Sequence, residues 1–486
     1  MKMNMLEARN LIDGQWQTAH DGYWGVRHSP ADGLAIGRYA ASGGVDAEAA
    51  ISAARRAFER PQWSQNPRQR QLVMLRWADR VEAHAESLAR LLTLENGKVL
   101  AQARGEIGAA ISEIRYYAGL ARYMPGHVFE VEPGAFSTLL KEPAGVVGII
   151  VPWNAPAALL VRSLAPAMAA GCAVIIKPAP QTALLTAALI EHLHAVEGLP
   201  PGVVNLVSED GHEVAARLVE SSEVDVISFT GSNATGQHIM AAAAPTMKKL
   251  SLELGGKSAC VVFEDADVAK IAPALAAAAT IISGQQCTAA RRVLVHARHF
   301  DAMKTALAQA LQALRVGPGL EDGMQIGPMI DAGAAASVGA RIQNAMDAAD
   351  EVVLRGGAGG GELAGGAFLT PTLVAHQDTN AFFVQEEIFG PLLVIERFED
   401  EAEAIARANH SEFGLSASVW THDGARALRV ARALRNGTVW INDHNKLFAE
   451  AETGGYRRSG LGRLHGYDAL IDFQEIKHIY QQVGTA

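Results

Sequence analysis

Cysteine is scarce in this chain: Cys172, Cys260 and Cys287 are the only three in 486 residues. An odd, sparse set excludes a disulfide framework and points to the reducing cytoplasm. Positive charge is also in deficit. There are 42 lysines and arginines against 52 aspartates and glutamates, a formal net charge of -10. That balance excludes a general binder of nucleic acid or of anionic membranes, because both reward positive charge. Long apolar runs are missing: residues 145–151 and 272–282 are the most apolar stretches, and both fall short of the ~20 residues that span a bilayer. The opening MKMNMLEARNLIDGQW has no apolar core and no small-residue cleavage site, so no signal peptide is read. No fixed-period repeat is visible.

What is present is ordinary globular composition, 49% hydrophobic and 19% charged. At about 150 residues per domain, the length suggests roughly three domains. Helical periodicity runs over 45–60, 69–94 and 101–123. The period then changes. Short β-rich runs at 146–151, 173–176, 203–207, 224–229 and 250–254 alternate with helical patterns at 157–170, 182–197, 213–221 and 235–244. Such alternation predicts an α/β fold with a parallel, doubly wound sheet. A second alternation starts at Ser258, with strands expected at 259–263, 292–295, 352–354, 392–395, 416–420 and 437–441 and helices at 268–282 and 300–314. The seam lies near Gly255-Gly256. The Gly-rich run 356–366 reads as a flexible surface loop. Segments 128–142 and 468–483 stand outside both units and are expected to pair as a small sheet that serves assembly.

Six motifs carry chemistry. In Gly284-Gln285-Gln286-Cys287, a thiol follows a flexible glycine after a long apolar helix. It is either a presented nucleophile, whose pKa must be lowered from about 8.5 by local positive potential or backbone N–H groups, or a buried inert thiol. Cys172 and Cys260 lie in apolar runs and read as core thiols. In Leu252-Glu253-Leu254-Gly255-Gly256-Lys257, a carboxylate between apolar neighbours acquires a raised pKa, which suits a general base for water; the alternative is a salt-bridged strand-end Glu. In Pro152-Trp153-Asn154-Ala155-Pro156, a strand-end Asn can donate to an oxyanion or cap a helix.

Phe229-Thr230-Gly231-Ser232-Asn233-Ala234-Thr235-Gly236 places glycines at a helix N-terminus, where a phosphate can sit; it is not GxGxxG. Lys177-Pro178-Ala179-Pro180 puts a lysine at the carboxyl edge of a parallel sheet, against a ribose or phosphate or simply in solvent. In Gln385-Glu386-Glu387-Ile388-Phe389-Gly390-Pro391, an acid and an aromatic lie together where they can grip a cofactor's ribose and ring.

In this order and spacing, PWNAP, KPAP, FTGSxxxG, LELGGKS, GQQC, EEIFGP and GGYRRSGLGR resemble the aldehyde dehydrogenase superfamily over nearly the whole chain. The resemblance implies a Rossmann-like cofactor domain (1–122 and 144–255), an α/β catalytic domain (256–458), and a small β bridging domain (123–143 and 459–486) that builds a homodimer or homotetramer. It implies an NAD or NADP cofactor and no catalytic metal. Cys287 would attack the aldehyde. Asn154 and the Cys287 N–H would hold the oxyanion, and Glu253 would activate the water that hydrolyses the thioester. Trp153, Lys177, Pro180, Gly231, Ser232, Gly236, Glu387 and Phe389 match cofactor-binding positions.

Two departures bear on specificity. Where NAD-preferring members carry a Glu that pairs with the lysine at the ribose, this chain has Pro180. Proline removes a carboxylate whose repulsion of a 2′-phosphate, at ~4 Å and an effective dielectric of 20, is on the order of 4 kcal/mol; NADP is therefore expected to be tolerated. The substrate pocket is assigned to Leu159, Arg162, Phe448 and Thr453, with Trp440 as further apolar wall. Arg162 stands where many members have Trp. By resemblance to succinate-semialdehyde dehydrogenases it would clamp a carboxylate through paired hydrogen bonds. Yet their second Arg and their loop Ser are here Ile281 and Leu447. Benzaldehyde dehydrogenases share the Arg-Ser-x-Ala-Pro segment, so a structural Arg paired with a neighbouring acid is the alternative. Glu450 and Glu452 beside Thr453 suit an amino-aldehyde or face solvent. The competing functions are a coenzyme A-acylating dehydrogenase, which Glu253 argues against, and a non-catalytic relative, which intact Cys287, Glu253 and Asn154 argue against.

Overall fold

A computed structural model describes residues 5–483; the first four and last three residues of the expected domains lie outside them. Two large sheets organise the chain. The first has eight strands in the order Gly460–Leu461, Lys249–Glu253, Val226–Thr230, Val146–Val151, Ala173–Pro178, Val204–Leu206, Asn10–Ile12 and Gln15–Gln17. Its five central strands are parallel, and antiparallel strands close both edges. Val146–Val151 is buried at every position, as befits a strand covered by helices on both faces. From it the chain steps to Ala173–Pro178 on one side and later returns to lay Val226–Thr230 on the other. That reversal opens a crevice at the carboxyl ends of Val146–Val151 and Val226–Thr230, where open α/β sheets bind ligands.

The second sheet has seven strands, in the order Glu351–Leu354, Thr372–Ala375, Leu392–Phe398, Arg292–His296, Ala259–Val262, Ser416–Trp420 and Thr438–Ile441. All its pairs are parallel except the first. A separate antiparallel sheet joins His127–Glu132, Ala135–Pro143 and Gln474–Gln482, the pairing expected for the two outlying segments.

Several expectations change. The periodic stretch 69–94 is two helices, Pro67–Ala83 and Ala85–Asn96, broken at His84, because the apolar period carries on across the break. The helix expected over 268–282 ends at Thr280, where the chain turns left-handed. Helix Ala332–Ala348 escapes the pattern because its small residues give little contrast between faces. The Gly-rich run is not a bare loop: Gly357–Ala358 pairs with Leu369–Thr370. Part of the tail, Asp468–Phe473, is a 3-10 turn, and Gly460–Leu461 joins the first sheet. Among the described residues no helix is long and apolar enough to cross a membrane.

Candidate active site

The crevice is a cavity of about 330 Å³ lined by Trp153, Asn154, Gly231, Ser232, Cys287, Glu387 and Phe389, among others. Five motifs separated by more than 230 residues thus meet at one place. The strand Val146–Val151 delivers Trp153 and Asn154 to it. Asn154 does not cap the following helix, whose N-cap is Ala155. Its Nδ2 instead donates to the Gln285 carbonyl at 3.1 Å. One amide N–H remains for another acceptor.

The bend that carries Asn154 is held from below by a segment the motif reading overlooked. Asn96 Nδ2 donates to the Trp153 carbonyl at 2.7 Å. Lys98 Nζ donates to the Asn154 carbonyl at 2.8 Å and pairs with Glu106. Glu106 in turn accepts from the N–H of Ala157 at 2.8 Å. Buried charges are retained only when paired and hydrogen-bonded, so Glu95-Asn96-Gly97-Lys98 inside an apolar region was the available signal.

The Cys287 loop leaves its helix through three consecutive left-handed residues, Ile282 (φ 48°), Ser283 (φ 57°) and Gly284 (φ 76°). Only the last is glycine, and there the need is twofold: a Cβ on Gly284 would sit 2.3 Å from the carbonyl carbon and oxygen of Gly390. Arg291, buried and also unforeseen, laces the loop by donating to the carbonyls of Gly284, Gln286 and Gly390. Burial, and next the nearby Glu387 carboxylate, push the Cys287 thiol up to about 12, while Arg162 pulls the other way. The expected lowering of this pKa is therefore absent from the unliganded site: the neighbouring carboxylates and the apolar walls outweigh the positive groups. Cys172 and Cys260 are buried core thiols, as expected, with pKa values pushed up by burial to about 11 and about 12.

Glu253 ends the strand Lys249–Glu253 and is buried. It forms no ion pair; its Oε1 has no hydrogen-bond partner among the described residues. Burial pushes its carboxyl up to about 8, against the pull of Arg162 and Arg463. The salt-bridged alternative is thereby removed. Ser232 caps helix Asn233–Ala243 by accepting from the Thr235 N–H. A Cβ on Gly231 would meet the Phe229 ring at 2.4 Å, and one on Gly236 would meet Leu254 at 2.7 Å, so both glycines serve close packing. Glu387 accepts from the Gly256 N–H at 3.1 Å. Phe389 stands edge-on to Trp153, ring centroids 5.6 Å apart.

Lys177 lines a neighbouring cavity of about 210 Å³ with Phe229, Thr235 and Glu209. It is not solvated: Glu209 lies 3.4 Å from its Nζ. Pro180 begins a 3-10 turn and lines neither cavity. Arg162 and Phe448 line a third cavity of about 220 Å³, with Glu113, Leu447, Glu450 and His465. Arg162 enters no ion pair among the described residues, so the structural Arg paired with an acid is not what is found; Glu113, on the same cavity wall, pairs with His465 at 2.8 Å instead. Leu159 is buried on its helix. Thr453 bridges Leu464 through its backbone. Neither lines these cavities. Glu452 accepts from the Asp468 N–H at 3.1 Å.

Residues 16–479 match the model of the aldehyde dehydrogenase family. The glutarate-semialdehyde dehydrogenase of Pseudomonas putida is 38% identical over 481 residues, 98% of both chains. The succinate-semialdehyde dehydrogenase (NADP(+)) of Escherichia coli is 38% identical over 482 residues, again 98% of both. The betaine aldehyde dehydrogenase of Staphylococcus aureus, solved in complex with NAD+, is 35% identical and superposes with a TM-score of 0.96 over 99% of this chain and 96% of that one.

Proposed function

This chain belongs to the aldehyde dehydrogenase family, and on that basis we propose that it oxidises an aldehyde to the carboxylic acid with NAD or NADP, Cys287 being the nucleophile, Asn154 the oxyanion donor and Glu253 the base. The observation that carries this reading is the single crevice shared by Cys287, Asn154, Ser232, Glu387 and Phe389 at the sheet's reversal point. The crevice fits a dinucleotide: a helix N-terminus opens beside Ser232, and Glu387 and Phe389 share its wall with Cys287. Lys177, Gly231, Ser232, Glu387 and Phe389 would hold it, and when bound it supplies a cationic hydride acceptor beside the thiol.

The Cys287 Sγ loses its proton to solvent water and bonds the aldehyde carbon, and the C=O electron pair moves onto oxygen. The free Asn154 N–H and the Cys287 backbone N–H stabilise that oxyanion. Covalent capture makes the loss of hydride from carbon an intramolecular event. The oxyanion collapses to a thioester on Sγ. Glu253, ionised, takes a proton from water as the water oxygen bonds the thioester carbon, and the C–S bond breaks to return the thiolate. Free acid formed without coenzyme A separates this from the acylating alternative, and turnover surviving Cys287→Ala would overturn it.

A specific observation supports an aldehyde with a distal anionic group: Arg162 lines the third cavity and enters no ion pair among the described residues, although Glu113 and Glu450 share that wall. Two relatives are semialdehyde dehydrogenases, whose named substrates carry a carboxylate. A panel of semialdehydes, aromatic aldehydes and betaine aldehyde, compared by kcat/KM, tests this class.

The three-domain division expected above is kept as part of this reading, with the two large sheets and the small one in its support and Gly460–Leu461, which pairs with the first sheet, as the exception. The small sheet exposes the apolar side chains Val128, Val131, Ile476, Ile479 and Tyr480, which suit contact with a second copy of the chain, as in a homodimer or homotetramer. Three free cysteines fit the cytoplasm.

A further inference from the structure

Lys177 ends the strand Ala173–Pro178, and Glu209 follows its parallel neighbour Val204–Leu206, so both project from the same sheet edge. Their side chains are 11% and 1% exposed and 3.4 Å apart. Glu209 is held in place: its Oε2 accepts from the Val214 N–H at 2.7 Å and its Oε1 from the Ala215 N–H at 3.3 Å. Both residues line the cavity between helices Glu213–Glu220 and Asn233–Ala243. Phe229 lines this cavity and the next residue, Thr230, lines the Cys287 crevice.

Pro180 cannot supply the ribose carboxylate, which by itself points to tolerance of a 2′-phosphate. The structure places a different carboxylate at the same lysine. We propose that Glu209 sets the cofactor preference of this enzyme by neutralising Lys177 and repelling a 2′-phosphate, so that NAD is bound in preference to NADP. The inference rests on the dinucleotide reading of the crevice. Three consequences follow from its charge arrangement. Lys177 has no unopposed positive charge to offer a phosphate. Glu220 lines the same cavity and adds a second negative charge. A ribose with a free 2′-hydroxyl loses nothing, because the hydroxyl can donate to the Glu209 carboxylate and accept from Lys177.

The test is calorimetric titration of the intact enzyme with NAD+ and with NADP+, without aldehyde. The wild type is expected to bind NAD+ at least about tenfold more tightly. Glu209→Gln, which removes the charge and keeps an acceptor for the helix N–H groups, is expected to shrink the ratio about tenfold or more. Glu209→Asp keeps the charge and is expected to keep the preference. Equal wild-type affinities would overturn the proposal whether or not any variant folds. A wild-type preference left unchanged in Glu209→Gln would also overturn it. Neither outcome touches the dehydrogenase reading, whereas a wild type that binds neither dinucleotide would overturn that reading and this one together.

Discussion

Asn154 Nδ2 donates to the main-chain carbonyl of Gln285 across 3.1 Å, so a strand end of the first sheet grips the loop that the second sheet supplies. The two residues are 131 apart in sequence, and neither half of the site is complete without the other. Asn154→Ala removes both the grip and the oxyanion donor. We expect kcat to fall about 10²–10³-fold, the usual cost of losing one oxyanion-hole donor, with dinucleotide affinity largely kept. Pre-steady-state hydride transfer measures it directly.

Glu253 should govern the release of acid. A carboxyl raised to about 8 is protonated below that pH and a base above it. Deacylation is therefore expected to rise with pH through about 8 and then level off. In Glu253→Gln the pH dependence should vanish and the thioester should accumulate, visible as a burst of reduced dinucleotide followed by slow turnover and as an acyl adduct by mass spectrometry.

Gly284→Ala should test how tightly the nucleophile loop is held. The new methyl would have to displace Gly390 or swing the loop. A shift of about 1 Å in the reacting thiol costs on the order of 10²-fold in kcat/KM. The variant should still fold and still bind the dinucleotide at the Lys177 end, which fluorescence titration reports.

Arg162→Met separates substrate recognition from scaffold. A lost charged hydrogen bond is worth about 1.5–3 kcal/mol, so kcat/KM for a carboxylate-bearing semialdehyde should drop by about 10–150-fold more than for neutral aldehydes, which lose only the pull of Arg162 on Cys287 and Glu253. Equal losses for both classes would show that Arg162 acts on the structure and not on the substrate.

The sequence by itself determined the two α/β units, the five central strands of the first sheet and most of the second, the pairing of the two outlying segments, and the motif residues that converge on the crevice; the short edge strands Asn10–Ile12, Gln15–Gln17 and Gly460–Leu461, and the strand Thr372–Ala375, were decided by pairing. Strand and helix periodicity is a local property, and a motif at a strand end keeps its place at the sheet edge however the chain packs. Apolar runs marked Cys172 and Cys260 as core thiols, whereas Cys287 stood open between nucleophile and inert thiol until the order and spacing of the other motifs assigned it. Only tertiary structure decided what depends on contacts across sequence. The break at His84 is hidden because the apolar face continues through it. Arg291 and Lys98 look like surface cations until burial leaves them only carbonyls and Glu106 as partners. The Cys287 pKa follows first from burial and then from the charges of Glu387, Arg162 and Glu253, which no linear spacing encodes. Glu209, 32 residues beyond Lys177, becomes its partner because adjacent parallel strands end side by side, and burial there makes one carboxylate decisive.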